Sequence, residues 1–308
     1  MAYYVSEVAW LAIYAQLSTL LLPVICCAGI GAAWAIRKQA YPAEFIAMLA
    51  TVVSTPALVF HTLMTTRLDN AQLLEVGSAS LLGLAAAALL AAIGLRSLKL
   101  PVHTLGPAVT FPNAGNLGLP LAQMTFGELG LAVAITFFAI NSIVQHTLGV
   151  WITAQGGGDH AHRWPKGMVV ATLFAIAFRS ADITLPAPMI ETAKLVGSLA
   201  IPLMLMSLGY ALATVSRNGI RQGAQVGALR LIVGLIAGAG VIHFLDLSPL
   251  VASVLTLQLA MPVAVVSAIY VQRFSNYGDV VSGAVLVSTA AFFLLCPLLF
   301  WLLDPHRF

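Results

Sequence analysis

Apolar residues run along this chain in blocks of about 20 or more, the length a helix needs to cross the hydrocarbon core of a bilayer. Short clusters of charges and turn formers separate the blocks. Breaking the sequence at those clusters predicts ten spans, near 8–34, 44–65, 71–95, 104–125, 129–153, 166–185, 187–214, 223–245, 248–271 and 280–303. The longest polar interval, Gln155 to Lys166, carries Gly156, Gly157 and Gly158, then Asp159, His160, His162 and Arg163. It divides the spans five and five. The pattern therefore predicts an all-α membrane protein with a five-helix unit over 1–154, a cytoplasmic linker over 155–165 and a second five-helix unit over 166–308.

The two units share landmarks. Pro56 and Pro202 are 146 residues apart, Pro112 and Pro262 are 150 apart, the pairs Gly127-Glu128 and Gly278-Asp279 are 151 apart, and Trp151 and Trp301 are 150 apart. Different residue types recurring in the same order at nearly one offset argue for an internal repeat. Orientation follows from the basic residues in short loops. With the N-terminus outside, nine face the cytoplasm (Arg37, Lys38, Arg96, Lys99, Arg163, Lys166, Arg217, Arg221, Arg273) and three face out (Arg67, Arg179, Arg307), while Lys194 and Arg230 fall inside spans and are not counted. Both termini are then outside. Because each unit has an odd number of spans, the second enters the membrane inverted, as in many secondary transporters.

Composition narrows the function classes. Of 308 residues, 60% are hydrophobic and 8% charged, against roughly 25% charged in a soluble domain, so a water-soluble globule is excluded. A scattered net charge of +3 does not make a surface that tracks a phosphate backbone, and nucleic acid is set aside. Ten spans leave little length for an extramembrane enzyme domain. Cys26, Cys27 and Cys296 lie in apolar runs and read as small hydrophobes, with no disulfide or metal site. The first ten residues hold Glu7 and no basic residue, so they lack the basic start of a cleaved signal peptide.

Candidate chemistry gathers where spans are interrupted. The fourth span reads Phe111-Pro112-Asn113-Ala114-Gly115-Asn116-Leu117-Gly118-Leu119-Pro120, and the ninth breaks at Met261-Pro262. Interrupted backbone at membrane depth is tolerated where it is buried in protein or lines a wet cavity. Paired breaks in corresponding places point to a transport site, whose half-helix N-termini favour an anion. The substrate-binding set is accordingly Asn113, Asn116, Pro112, Gly115, Pro262 and Met261. Asn113 and Asn116 share a face wherever the following half-helix is regular, and each carboxamide can serve a ligand or the backbone groups freed by the prolines. Asn141 and Gln145, four apart in the fifth span, together with Gln258, Ser54 and Ser267, are further cavity or ion ligands. Thr55, His61, Ser142, His146 and Ser207 are weaker candidates, since lone polar groups often bridge neighbouring helices. The Asp159-His160-Ala161-His162 run reads as a solvated linker. No acidic residue lies in the fourth or ninth span, so a buried carboxylate proton relay is not evident.

The string FPNAGNLGLPL over Phe111–Leu121, with two units of five spans, resembles the auxin efflux carrier family, which includes bacterial organic acid permeases and the plant auxin carriers. The likeness rests on Pro112-Asn113 and Gly118-Leu119-Pro120-Leu121, with Ala260-Met261-Pro262 and the stretch from Gly278-Asp279 to Trp301 extending it over nearly the whole chain. It implies two inverted five-helix repeats whose fourth and ninth helices cross at their prolines, a fold shared with bile acid sodium symporters. It also implies a homodimer in the cell membrane, the inner membrane of a bacterium, and a carboxylate-binding asparagine at Asn113. Plant carriers have a polar residue after the ninth-helix proline and a long central loop. This chain has Val263 and a short loop, which argues against auxin itself.

The function expected is secondary transport of small organic anions by alternating access, with no cofactor. A membrane sensor would want a signalling domain, and an enzyme would want paired carboxylates, a Ser/His pair or metal ligands at one depth. For coupling, potential-driven anion export ranks first and sodium symport second, since neutral amide oxygens suit Na+. Proton coupling ranks third, through His61 or His146 alone.

Overall fold

The computed structural model describes residues 7–39, 41–155, 166–214 and 219–302. The glycine- and histidine-containing part of the linker (156–165), Arg217, Arg307 and the chain start (1–6) lie outside the described residues. Backbone N–H and C=O groups in hydrocarbon must be satisfied within the chain, and a helix does this locally. Among the described residues the fold is accordingly helical: α1 (Glu7–Ile36), α2 (Ala43–Met48), α3 (Thr55–Thr65), α4 (Asn70–Ser97), α5 (Val102–Thr110), α6 (Leu119–Val144), α7 (Val150–Ala154), α8 (Lys166–Ser180), α9 (Ala187–Gly197), α10 (Ala200–Thr214), α11 (Ile220–Phe244), α12 (Pro249–Ala260), α13 (Val265–Phe274) and α14 (Gly278–Leu302). The extended backbone among them pairs only at an isolated antiparallel bridge between Pro112 and Val263.

Among the described residues, five helical stretches are long and apolar enough to cross a membrane: Asn70–Ser97, Ala114–Ala154, Ala187–Thr214, Ile220–Phe244 and Gly278–Cys296. Shorter apolar helices occupy Leu22–Ile36, Leu49–Thr65, Val169–Ser180 and Pro249–Ala260. Their outward faces carry large apolar side chains, with Leu74, Leu195, Phe244 and Leu294 each more than 70% exposed, as a lipid-facing surface requires. At 41 residues, Ala114–Ala154 would be about 60 Å long if straight, twice the hydrocarbon thickness. It is not straight. Gly127 adopts φ 65° and ψ −156°, a left-handed backbone open to glycine, and the helix changes direction there. A Cβ at Gly130 would run into Phe126 and the Ala122 carbonyl, so the two pieces close tightly on the bend.

Among the described residues, four spans depart from regular helix in ways hydropathy does not reveal. Wide, π-helical turns occupy Leu49–Ser54, Ala114–Gly118 and Gln145–Gly149. The seventh span, expected as one helix over 187–214, divides at Ser198–Leu199 into α9 and α10. There Gly197 packs against the backbone of Ala57 and Leu58. The irregularities in the second and seventh spans thus precede Pro56 and Pro202, the two prolines that share the repeat offset.

Packing follows small residues. Helix α1 lies along α10, α3 against α8 and α9, and α11 against α14, α12 and α4. One buried cluster gathers Ala114, Leu117 and Leu121 with Leu255, Leu257 and Leu259, joining the fourth span to the ninth. Another joins Ala87, Ala91 and Leu95 of α4 to Val226 and Val233 of α11 and Val281 and Ala284 of α14. The chain is therefore a multi-pass helical membrane protein whose two interrupted spans are packed at its centre.

Candidate functional site

The site begins with the prolines. Pro112 and Pro262 lack backbone N–H groups, and a residue preceding proline is pushed away from helical geometry. Helix α5 stops at Thr110, with Phe111 extended, and α12 stops at Ala260, with Met261 extended. The two extended segments then meet. Asn113 N–H donates to the Pro262 carbonyl at 2.8 Å, within the Pro112–Val263 bridge. Val263 N–H donates to Ser288 Oγ of α14 at 3.1 Å. Beyond the crossing the chain re-enters helix at Ala114 and at Val265, so two helix starts and two helix ends converge at one place.

Two carboxamides at this crossing are buried with atoms left unpaired. Asn113 is 4% exposed and its Nδ2 has no partner, and Gln258 is fully buried with neither Oε1 nor Nε2 hydrogen-bonded. The Gln258 carboxamide lies against Gly118, where any Cβ would collide with it. Buried amides are normally paired, because an unmade bond costs the desolvation of the group. Three such atoms, Asn113 Nδ2 and both polar atoms of the Gln258 carboxamide, therefore sit without protein partners at one crossing.

The other sequence candidates distribute around it. Asn113 caps the segment after the break with φ −75° and ψ 54°, and that segment is π-helical. The regular half-helix on which Asn113 and Asn116 were to share a face is therefore not what forms there, and Asn116 is only half-buried. Gly115 packs against the Phe138 ring. Met261 and Pro262 contribute backbone carbonyls, the first to Arg230 and the second to Asn113. Gln145 Nε2 donates to Ser267 Oγ at 3.2 Å, tying the fifth span to the second half of the ninth. Asn141, one turn earlier, is 2% exposed with Oδ1 unpartnered. Ser54 is fully buried with its Oγ unpaired. Each of the three π-helical segments carries one of the polar candidates: Ser54, Asn116 and Gln145. Wide turns of this kind recur at functional sites.

Sequence reasoning passed over one central residue. Arg230 of α11 is fully buried, and its guanidinium donates through Nε to Met261 O at 3.1 Å and through one terminal nitrogen to Val109 O and Thr110 O at 2.7 Å each. The other terminal nitrogen donates to Leu259 O. These carbonyls are the C-terminal ends of both broken half-helices. Gly234, one turn further along α11, lets Leu259 approach this closely, since a Cβ there would collide with its carbonyl. The available signal was an arginine inside an apolar span with Gly223, Gly227, Gly234 and Gly238 around it.

A second polar region lies at the end of α3. Arg179 donates to Leu63 O at 2.9 Å, Thr66 O at 3.2 Å and Leu68 O, closing the carbonyl end of that helix. It lines a cavity of about 630 Å³ with Asp69, Asn70 and Asp182. A neighbouring cavity of about 440 Å³ is bounded by Thr62, Arg67 and Glu128.

Lipid-facing helices around two broken segments with buried, unpaired amides define a multi-pass membrane transport protein. The chain matches the membrane transport protein family over residues 16–167 and 166–302 and belongs to that family, the one its Pro-Asn-Ala-Gly-Asn string resembles. It is 26% identical over 195 residues to an uncharacterized transporter of Methanothermobacter thermautotrophicus, covering 62% of this chain and 65% of that one. It is 22% identical over 223 residues to an uncharacterized transporter of Methanocaldococcus jannaschii, covering 68% and 72% respectively. The chain thus spans just under two thirds of the first of these relatives. The family and these relatives are transporters rather than enzymes.

Proposed function

We propose that this protein is a secondary carrier that moves small organic anions by alternating access, with the carboxylate held at the crossing of the two broken spans. The observation that carries this reading is the set of buried carboxamide atoms without protein partners, Asn113 Nδ2 with Gln258 Oε1 and Nε2, at the crossing where two helices begin. Helix starts present free N–H groups and a positive dipole end, and an amide N–H₂ adds neutral donors. A carboxylate accepts from all of these. With Asn113 4% exposed and Gln258 fully buried, the crossing has the form of a closed state. Release to either side would then require the helices around it to move.

The architecture that accompanies this reading is ten spans in two inverted five-helix repeats, 1–154 and 166–308, joined through 155–165. Both termini are outside, and the protein is a homodimer in the cell membrane, the bacterial inner membrane. Breaks at Pro112 and Pro262, 150 residues apart, and irregular turns before Pro56 and Pro202 support it.

The test is uptake of carboxylates into vesicles holding the purified protein, under an imposed potential, with and without a sodium gradient. Asn113→Ala is expected to lower uptake at least tenfold while expression and thermal stability stay unchanged. Unchanged uptake removes the site assignment. Potential-driven movement without sodium is the expected mode, since one charge is worth about 2.3 kcal/mol per 100 mV. Sodium symport is the second reading, favoured by the unpartnered buried oxygens Asn141 Oδ1 and Gln258 Oε1. Strict dependence on sodium would select it.

A further inference from the structure

The charges of the crossing do not cancel, and Arg230 is the reason. Two half-helices end at the crossing and two begin. Helix ends carry about −0.5 and helix starts about +0.5 elementary charge each. Taken alone the four termini sum to about zero, which gives no preference for an anion over a cation. Arg230 adds a full positive charge that a guanidinium keeps in proteins, and it adds it in one place only. Its bonds go to Val109, Thr110, Leu259 and Met261, all on the ending half-helices. No carboxylate among the described residues pairs with it, where the ion pair formed is the distant surface pair Lys194–Glu191. The negative ends are thereby neutralised. The positive starts at Ala114 and Val265 are left uncompensated, next to the unpaired amides of Asn113 and Gln258.

The two halves differ in this respect. Residues 79–84 of α4, at the repeat offset from Arg230, read Ala-Ser-Leu-Leu-Gly-Leu and carry no charge. One arginine therefore serves both breaks, and the crossing holds about one net positive charge. A fully buried charge without a counter-ion is costly, and an incoming monoanion supplies the counter-ion without any protein carboxylate.

We infer that Arg230 is the fixed counter-charge that turns an electrically balanced crossing into a site for one negative charge, so that the substrate class is monocarboxylates. This rests on the carrier reading above and adds to it the origin and the number of the charge. Arg230 acts through the helix ends it holds, so it is a positioning and charge-setting residue. A dianion would leave one charge uncompensated in the closed site, whereas a monoanion leaves none.

The experiment is vesicle uptake by the full chain at mildly alkaline pH, comparing labelled lactate, pyruvate and benzoate with malonate and succinate. Wild type is expected to take up at least one monocarboxylate tenfold or more faster than either dicarboxylate. Equal or faster dicarboxylate uptake overturns the inference. Arg230→Gln is expected to lose at least tenfold in monocarboxylate uptake and to lose the preference for monocarboxylates over dicarboxylates. Ser288→Asp separates charge from scaffolding, because it leaves Arg230 and its carbonyl bonds in place, keeps an acceptor for Val263 N–H and adds a negative charge beside the break. It should also lose at least tenfold. A folded Ser288→Asp protein with wild-type uptake overturns the charge argument even where Arg230→Gln does not fold. A wild-type protein that moves no carboxylate in the panel instead overturns the carrier reading itself.

Discussion

Replacing Gln258 with leucine should make the protein more stable and less active. The Gln258 side chain is fully buried on α12, against Gly118, and both ends of its carboxamide lack partners. Leaving a buried polar group unpaired costs roughly 1–3 kcal/mol, whereas an apolar side chain of similar size avoids that cost. A shape mismatch takes back under about 1.5 kcal/mol when volume is nearly conserved. The net gain is on the order of 1–2 kcal/mol, and at about 2–4 °C per kcal/mol for chains of 150–250 residues the melting temperature should rise by several degrees. The same change removes a donor and an acceptor from the crossing, so carboxylate uptake should fall at least tenfold. Thermal unfolding of purified protein by circular dichroism, with vesicle uptake on the same preparation, measures both. Stability and uptake should change in opposite directions, as they do where a binding site stores instability. A lowered melting temperature with undiminished uptake would refute it.

Other consequences can be checked separately. Gly31→Leu should destabilise by at least about 2 kcal/mol, since a Cβ there meets the Met206 carbonyl of α10 and overpacking costs 1–3 kcal/mol or more; the melting temperature reads it. A double-mutant cycle on Gln145→Ala and Ser267→Ala, which share a 3.2 Å hydrogen bond, should give a coupling of about 0.6 kcal/mol, the usual value for polar pairs in membranes. Asp69→Ala removes the capping box that Asp69 and Gln72 form at the start of α4 and should cost about 0.5–2 kcal/mol, with transport retained. Reporter fusions at the C-terminus should be active only outside the cytoplasm, and cytoplasmic activity would contradict the charge-based orientation.

The legible features were those that composition and proline chemistry decide. Apolar blocks gave helices, and the Pro112 and Met261-Pro262 breaks gave extended backbone, because proline removes a donor and constrains its predecessor regardless of packing. Asn113 and Gln258 were named as polar groups in apolar surroundings, yet their lack of partners is a property of three-dimensional packing. The π-helical turns at Ser54, Asn116 and Gln145 depend on one extra residue per turn being accommodated by neighbouring helices, which no local pattern encodes. In the sequence Arg230 falls inside a span and has no part in the charge-based orientation. Its bonds reach Val109 and Thr110, more than a hundred residues away, and hydropathy cannot place a side chain at a junction between distant segments. The prolines mark where the half-helices start, whereas the helix ends that Arg230 holds come together only in the folded junction.

Locating a bound carboxylate decides whether one sits at the crossing. A bromine-substituted monocarboxylate that wild type transports would be located by anomalous diffraction in crystals of the complex. Its carboxylate is expected within hydrogen-bonding distance of Asn113 Nδ2 and beside Gln258. A molecule bound instead in the cavity beside Arg179, with the crossing empty, would contradict it.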